Sequence, residues 1–283
     1  VYYFTAVYEE GNPETGNWLC FTAETDDSEV WYENENGNEV KVQYSLNDGA
    51  TWISLSENEK IVLKKGEKVY IKGDNPNGFS RIVGTEIRTT CFKMTGLISA
   101  SGSVMSLLDG NGSSTVIPNE SCFISLFMEC SSLTKAPELP AKELVFSCYK
   151  NMFSECSKLD TIKVGVMSLD NDFVATENWV DGIDGPGVFI FPCGSKYDKH
   201  GVSEVPDKFI IIASPIVVFQ NPDSTELQRD TIGCDVVPEY PLEEKGEPFY
   251  KEGLVFKGWD VEPHVHETPD TYYYTAVYEE KTD

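Results

Sequence analysis

The sequence predicts a mainly β protein with some α structure, in which a short repeat array lies between two β-rich regions. Three observations favour this fold class. A motif recurs after 26 residues in the middle of the chain, alternating apolar runs separated by Gly and Asn turns precede it, and one strand-like segment occurs at both ends. Repetition at such a spacing is typical of a solenoid, where each unit buries its apolar side against the next.

The repeat comprises residues 121–137 and 147–163, which align without a gap. The positions that recur in register are Cys122 with Cys148, Phe127 with Phe153, Cys130 with Cys156, and Leu133 with Leu159. We expect these eight to be structural repeat positions that face inward. The serine that opens each copy, Ser121 or Ser147, is a candidate cap for a short helix carrying the Phe and Cys stripe. The expected architecture over 97–213 is therefore a short αβ solenoid, closed by a terminal strand at 188–191.

The region before the repeats, 11–96, is expected to be a β-sandwich. Val40, Val42 and Tyr44 alternate with polar residues, and the Asn-Asp-Gly turn at 47–49 leads into the next apolar run. Short strands broken by such turns favour an antiparallel sandwich. The last region, 214–283, opens on the apolar run 216–219 and is expected to form a third module.

The two ends of the chain carry nearly the same segment. Residues 1–10 read VYYFTAVYEE and residues 271–280 read TYYYTAVYEE, an alternation of aromatic and β-branched residues that predicts a strand. We therefore expect a piece of a larger protein built from tandem modules, without a signal peptide of its own. Residues 1–10 would be the tail strand of a preceding copy.

The charge of the chain excludes several function classes. Its 47 acidic and 22 basic residues give a net charge of −25, which repels phosphate backbones and anionic lipid surfaces. No apolar run approaches the roughly 20 residues of a membrane span. We expect neither nucleic acid nor membrane insertion in this segment.

The eight cysteines do not indicate a metal site. The repeat cysteines are separated by seven and then 17 residues and include no C-x2-C pair, so buried packing is favoured over zinc. Disulfides remain open among the other four cysteines, which are Cys20, Cys91, Cys193 and Cys234.

Two families share motifs with this chain. Residues 148–159, CYKNMFSECSKL, resemble the BspA-like leucine-rich repeats of bacterial surface proteins, and Ala136–Ala141 resembles their inter-repeat segment. Residues 253–259, GLVFKGW, with the ending TAVYEE, are similar to the Listeria–Bacteroides repeat, also called the internalin B-repeat. The second resemblance implies a small β-grasp-like module over 214–283 that acts as a spacer. The first region resembles the β-sandwich that often precedes such repeats.

Three candidate sites compete with simpler interpretations. Residues 109–120 nearly match a calcium loop, but Ser114 replaces the required glycine, so a Gly/Asn turn is favoured. His264 and His266 could bind zinc or copper from one strand face, but solvated loop histidines are favoured because prolines flank them. Trp18, Trp31 and Trp179 could stack on sugar rings, although core packing is favoured.

We expect a non-enzymatic protein. With three histidines, none beside a Gly-rich elbow, the sequence contains no recognisable catalytic triad, and it offers no phosphate-binding glycine motif. The expected function is adhesion or protein interaction through the repeat region of a bacterial cell-surface or secreted protein, without cofactor or metal. The partner would be a host or bacterial surface protein. The alternative is a carbohydrate-binding protein that uses aromatic residues of the sandwich.

Overall fold

The computed structural model describes residues 16–170, 174–266 and 268–281. The tail strand expected at 1–10 lies outside these residues. Within them the protein is mainly β, with several sheets and two one-turn helices. The strands that precede the first helix are β1 (Leu19–Ala23), β2 (Ser28–Asn34), β3 (Val42–Ser45), β4 (Ile53–Ser54), β5 (Ile61–Leu63), β6 (Lys68–Gly73), β7 (Arg81–Val83), β8 (Glu86–Arg88), β9 (Thr90–Thr95) and β10 (Ile98–Ser101).

The remaining elements follow the first helix. They are α1 (Ser106–Asp109), β11 (Leu133–Leu139), β12 (Thr161–Val164), β13 (Gly187–Ile190), β14 (Phe209–Ile212), β15 (Ile216–Gln220), β16 (Glu226–Thr231), α2 (Leu242–Lys245), β17 (Leu254–Trp259) and β18 (Thr271–Glu280). The chain forms two compact units. The first contains the described residues up to Phe189 together with Tyr197–Ile211, and the second contains Ile190–Lys196 and the described residues from Ile212 onward.

A nine-stranded sheet organises the first unit, in the order β14-β13-β12-β11-β10-β1-β6-β3-β4. Strand β1 pairs antiparallel with β6 and β10, whereas β10, β11 and β12 run parallel to one another. The sheet thus contains strands from both sides of residue 96, where the sequence predicts a boundary between two domains. The expected terminal strand at 188–191 corresponds to β13, but β14 pairs beyond it, so β14 forms the edge.

A second sheet, in the order β5-β2-β9, shares a core with the first. The rings of Phe21 on β1 and Phe92 on β9 lie 5.3 Å apart, and neither side chain is exposed. Val30 on β2 and Val69 on β6 are also fully buried. The alternating burial of β2 and β6 matches the period-two pattern of strands with one face on a core.

The short helices expected in the repeats are not formed. Residues 121–129 and 147–155 form consecutive turns instead, and every fourth residue has a positive φ angle. The positive-φ residues are Ser121, Ser125, Glu129, Ser147, Asn151 and Glu155, with φ values between 51° and 66°. A helix N-cap has a β-region backbone, so Ser121 and Ser147 cannot act as the expected caps.

Hydrogen bonds between successive turn segments explain why turns replace helices. The N–H groups of Phe123, Ser125 and Phe127 donate to carbonyls of the next segment, at Cys148, Lys150 and Met152. The N–H groups of the intervening residues donate three residues back within their own segment. A helix would use both sets internally. The turn conformation instead leaves alternate donors free to join neighbouring repeats.

A column of aromatic rings runs through the stacked segments. Phe92, Phe127 and Phe153 stack in sequence, with ring centroids 5.8 and 5.6 Å apart, and Trp179 follows Phe153 at 6.1 Å. Trp179 belongs to a third turn segment, because the N–H of Phe153 donates to its carbonyl. The sequence shows only two copies clearly, because Trp179 replaces Phe in the third segment and the cysteine pattern is absent from it.

The second unit contains a mixed four-stranded sheet, in the order β16-β15-β18-β17. The central pair, β15 and β18, is parallel, and both outer pairs are antiparallel. Val217, Phe219 and Tyr274 form its buried centre, against which Trp259 packs. A disulfide joins Cys193 to Cys234, whereas the other six cysteines are free and buried.

A candidate binding groove beside the repeats

The eight repeat positions lie in the interior of the first unit and cannot contact a ligand there. Each is at most 1% exposed. They are Cys122, Phe127, Cys130, Leu133, Cys148, Phe153, Cys156 and Leu159. Their role in the structure is to hold adjacent turn segments together.

The repeat cysteines also donate hydrogen bonds across the stack. The Cys130 thiol donates to the carbonyl of Phe92 at 3.1 Å, and the Cys156 thiol donates to the carbonyl of Phe127 at 3.0 Å. Burial raises the pKa of Cys156 to about 12, so this thiol stays protonated at neutral pH. A thiol that donates from a buried position is poorly suited to nucleophilic chemistry, which requires the thiolate.

The Asp109 loop is stabilised by its own backbone. The Asp109 carboxylate accepts hydrogen bonds from the N–H groups of Asn111, Gly112 and Ser114, at 2.7 to 3.0 Å. The acidic residue at the start of the calcium-loop-like motif is therefore explained by its role as the acceptor that holds this turn together. No cluster of three or more potential metal-ligating side chains occurs in the described part of the chain.

The histidine pair differs from the expectation. His264 is exposed as predicted, but the prediction of a solvated loop is wrong for His266, which is 4% exposed. The His266 ring stacks on Tyr272 at 3.4 Å, and its Nε2 lies 2.8 Å from the hydroxyl of Tyr274. Burial, with a smaller contribution from the charge of His264, lowers the pKa of His266. This histidine is part of the packing of the second unit.

The three tryptophans considered for sugar stacking have different environments. Trp18 and Trp179 are buried, which confirms the expectation of core packing for both. Trp31 is half-buried, and the Lys60 ammonium lies 4.6 Å from the centre of its ring. The Trp31 indole also donates to the Glu33 carboxylate. A sugar ring would have to displace Lys60 to stack on that face.

A groove of about 700 Å³ in the first unit combines apolar and polar side chains. Three separate chain segments line it. Residues 77–82 lead into β7, residues 118–120 precede the turn segment 121–129, and residues 144–146 precede the turn segment 147–155. The lining residues are Asn77, Arg81, Ile82, Pro118, Asn119, Glu120, Leu144, Val145 and Phe146.

Backbone and amide hydrogen bonds hold these segments together. Ser121 N–H donates to the carbonyl of Phe146, and the Asn119 side chain donates to the carbonyl of Asn77. Gly78 has a φ of 103°, and a Cβ atom there would lie 2.7 Å from the Ser80 carbonyl. Glycine is therefore required where the chain turns into β7.

The groove is bordered by exposed apolar side chains. Ile82 on β7 and Phe146 are about 40% exposed, as is Ile87, the cross-strand partner of Ile82 on β8. Within the described residues, strands β7 and β8 pair only with each other and form a separate two-stranded sheet. Contiguous exposed apolar surface with polar residues around it is typical of interaction sites.

Sequence reasoning did not find this groove. A signal was nonetheless present in residues 81–88, RIVGTEIR, where isoleucine and arginine recur symmetrically about a Gly-Thr turn. Nothing in the sequence places these residues beside 118–120 and 144–146, because that proximity depends on the stacking of the turn segments.

Comparison with known proteins found no family model that matches the chain, and no curated protein or solved structure similar to it. Across the described ranges, no helix has the length and apolar character that a membrane span requires.

Proposed function

We propose that this chain is part of a non-enzymatic bacterial surface or secreted protein that mediates adhesion or protein–protein interaction through its repeat region. The observation that carries the proposal is the groove beside the turn segments, where Ile82 and Phe146 are exposed next to amide and arginine side chains. Apolar anchors surrounded by polar groups are the usual composition of protein-binding hot spots. The proposed partner is a surface protein of a host or of another bacterium.

The proposal includes the finer fold assignments. The parallel strands β10, β11 and β12 and the stacked turns support a short leucine-rich-repeat solenoid of the BspA-like kind, with turns in place of helices. The order β16-β15-β18-β17 with a parallel central pair supports a β-grasp-like spacer of the Listeria–Bacteroides kind. The two sheets that share Phe21 and Phe92 support a β-sandwich before the repeats.

The disulfide supports a location outside the cytosol. Cys193 and Cys234 are bonded, and disulfides persist mainly in oxidising environments such as the cell surface. The six free thiols do not oppose this location, because burial shields each of them from oxidants.

Carbohydrate binding remains the second candidate, and the half-buried Trp31 is the observation that favours it. Trp18 is unsuitable for a binding test, since its replacement would remove a buried core side chain. A decisive experiment exposes the protein to arrays of extracellular proteins and of glycans in parallel. The groove variant carries Ile82→Ser with Phe146→Ser, and Trp31→Ala tests the second candidate.

The matched control carries Leu46→Ser with Val62→Ser, which replaces two exposed apolar residues away from the groove. We expect protein binding that falls by about tenfold or more in the groove variant, as for hot-spot residues, and changes little in the control. Binding to glycans alone, lost in Trp31→Ala, would establish the second candidate. Equal losses in the groove and control variants would contradict a role for the groove.

A further inference from the structure

The arginines of this chain are distributed in an unusual way. The chain contains three arginines against 47 acidic residues. Arg229 forms the expected ion pair, with its Nη2 atom 2.8 Å from the Glu226 carboxylate. Arg81 and Arg88 instead lie directly opposite each other on β7 and β8. No described acidic side chain forms an ion pair with either of them.

This arrangement is unfavourable in the free protein. Like charges on directly opposed residues destabilise an antiparallel pair. The Nε atoms of Arg81 and Arg88 are both buried and have no hydrogen-bond partner within the described part of the protein. Arg88 makes one long contact, from Nη1 to the Gly37 carbonyl at 3.4 Å. An unpaired buried donor on a charged group costs more than a neutral one. An anion held beside the two guanidinium groups would relieve the repulsion between them.

The position of Arg81 connects this charge to the groove. Arg81 and Asn77 line the groove and also a neighbouring depression of about 500 Å³. On the groove side the arginine stands next to Ile82, and Phe146 and Leu144 lie in the same lining. The groove lining therefore combines a planar cation, two amides, the Glu120 carboxylate and an aliphatic-aromatic surface. A guanidinium binds a carboxylate through two parallel hydrogen bonds, which fixes orientation as well as affinity.

We propose that the groove binds an acidic, partly apolar peptide segment of the partner protein. A carboxylate of that segment pairs with Arg81, and a neighbouring aliphatic or aromatic side chain packs against Ile82 and Phe146. The proposal rests on the proposed function and specifies its partner. A peptide is favoured over a glycan because four apolar residues, Pro118, Leu144, Val145 and Phe146, line the groove together with Ile82. This apolar part of the lining suits a hydrocarbon side chain better than a hydroxyl-rich sugar ring.

The overall charge of the protein opposes such a partner only weakly at this site. The net charge is −25, but repulsion between exposed charges is screened beyond about 8 Å at physiological ionic strength. The pairing with Arg81 takes place within a few ångströms. We therefore expect direct contact with Arg81 to outweigh repulsion from Glu120, which lines the same groove, and the distant carboxylates to lower the association rate.

The test uses Nα-acetylphenylalanine, which carries a carboxylate and an aromatic ring, and its neutral amide as the matched probe. Both are titrated into the full chain while the arginine Nε–H signals are followed by NMR. We expect the acid to shift the Arg81 signal but not the Arg229 signal. We also expect it to bind about tenfold more tightly than the amide, a ratio in the range of a charge-assisted hydrogen bond.

The variant Arg81→Gln should abolish the difference between acid and amide. Arg229→Gln, which changes the net charge equally in the other unit, should leave it intact. Equal binding of the two probes, or no effect of Arg81→Gln, would overturn the proposal. Glucuronate binding more tightly than the acetylated amino acid would also overturn it, in favour of an acidic glycan. If array binding depends on Ile82 and Phe146 but not on Arg81, the proposed function stands and only this inference fails.

Discussion

At the scale of single residues, the repeat cysteines show why a small thiol recurs at fixed positions. Cys130 and Cys156 each place a sulfur against the carbonyl of an aromatic residue in the preceding element. The side chain fills a small space and supplies a weak donor, a combination that neither alanine nor leucine offers. The sequence identified these positions as packing residues, but the donor role became visible only when the preceding strand and turn segment were in place.

This role predicts an unequal response to the same substitution. Cys156→Ala removes the sulfur and leaves the Phe127 carbonyl without that donor, so we expect a loss of about 2 kcal/mol in unfolding free energy. Cys91→Ala should cost less, since the Cys91 thiol lies 3.9 Å from the nearest carbonyl acceptor, that of Glu33. Urea unfolding of the two variants measures the difference. Equal losses would show that the thiol contact contributes nothing.

The same burial predicts low thiol reactivity. The pKa values of Cys122, Cys148 and Cys156 are raised to about 12 by burial, so almost no thiolate exists at pH 8. We expect the six free cysteines to resist iodoacetamide in the folded protein and to react fully in urea. Intact mass before and after unfolding counts the modified thiols. Rapid modification of the folded protein would mean that the stack opens readily.

His266 predicts a pH dependence in the second unit. Its pKa is lowered mainly by burial, so the unfolded chain binds a proton more readily than the folded one. The stabilising contribution is therefore present above the ordinary histidine pKa and is lost as the pH falls through the lowered value. We expect the second unit to unfold at lower urea concentration at pH 5.5 than at pH 7.5. The difference should shrink in His266→Gln and persist in His264→Gln.

At the scale of elements, the turn segments depend on residues that accept a positive φ. Ser, Asn and Glu occupy these positions at a spacing of four, a periodicity close to that of a helix. Local propensity therefore does not distinguish a helix from a series of turns, and the sequence pattern alone favours the helix. The neighbouring segment stabilises the turns over the helix, because its carbonyls accept hydrogen bonds from the N–H groups of Phe123, Ser125 and Phe127.

Substitutions at Glu155 test this backbone conformation. Glu155 is exposed, has a φ of 62°, and donates its N–H to the Asp181 carbonyl. Glu155→Gly should keep or slightly raise stability, whereas Glu155→Val should cost about 1–2 kcal/mol relative to glycine, because a β-branched residue resists this conformation. The control site is Lys135, exposed on β11, where valine should be more stable than glycine. The same order at both sites would contradict the turn conformation.

At the scale of the whole molecule, the two units have different sources of stability. The first has a continuous sheet and a long aromatic column, while the second has a four-stranded sheet with a small centre around Phe219. The disulfide between Cys193 and Cys234 joins two segments of the second unit that are 41 residues apart along the chain. In the chain-entropy account, a loop of this size contributes about 4 kcal/mol.

Reduction should therefore affect the units unequally. With dithiothreitol, we expect hydrogen exchange to accelerate in β15 and β18 and to stay unchanged in β11 and β12. Cys193→Ser with Cys234→Ser should reproduce this pattern without reductant. Mass spectrometry of peptic fragments resolves the two units. Uniform acceleration would show that the bond stabilises the whole chain rather than the second unit.

The sequence by itself determined the mainly β character, the repeat register and its inward-facing residues, because strand alternation and a fixed period are properties of residue order. It could not determine the turn geometry of the repeats, the third segment around Trp179, or the environment of His266. The first two depend on neighbouring segments that lie far away along the chain, and the third depends on how the chain folds back onto Tyr272 and Tyr274. The groove is the clearest case, since 77–82, 118–120 and 144–146 meet only through lateral hydrogen bonds such as that from Ser121 to Phe146.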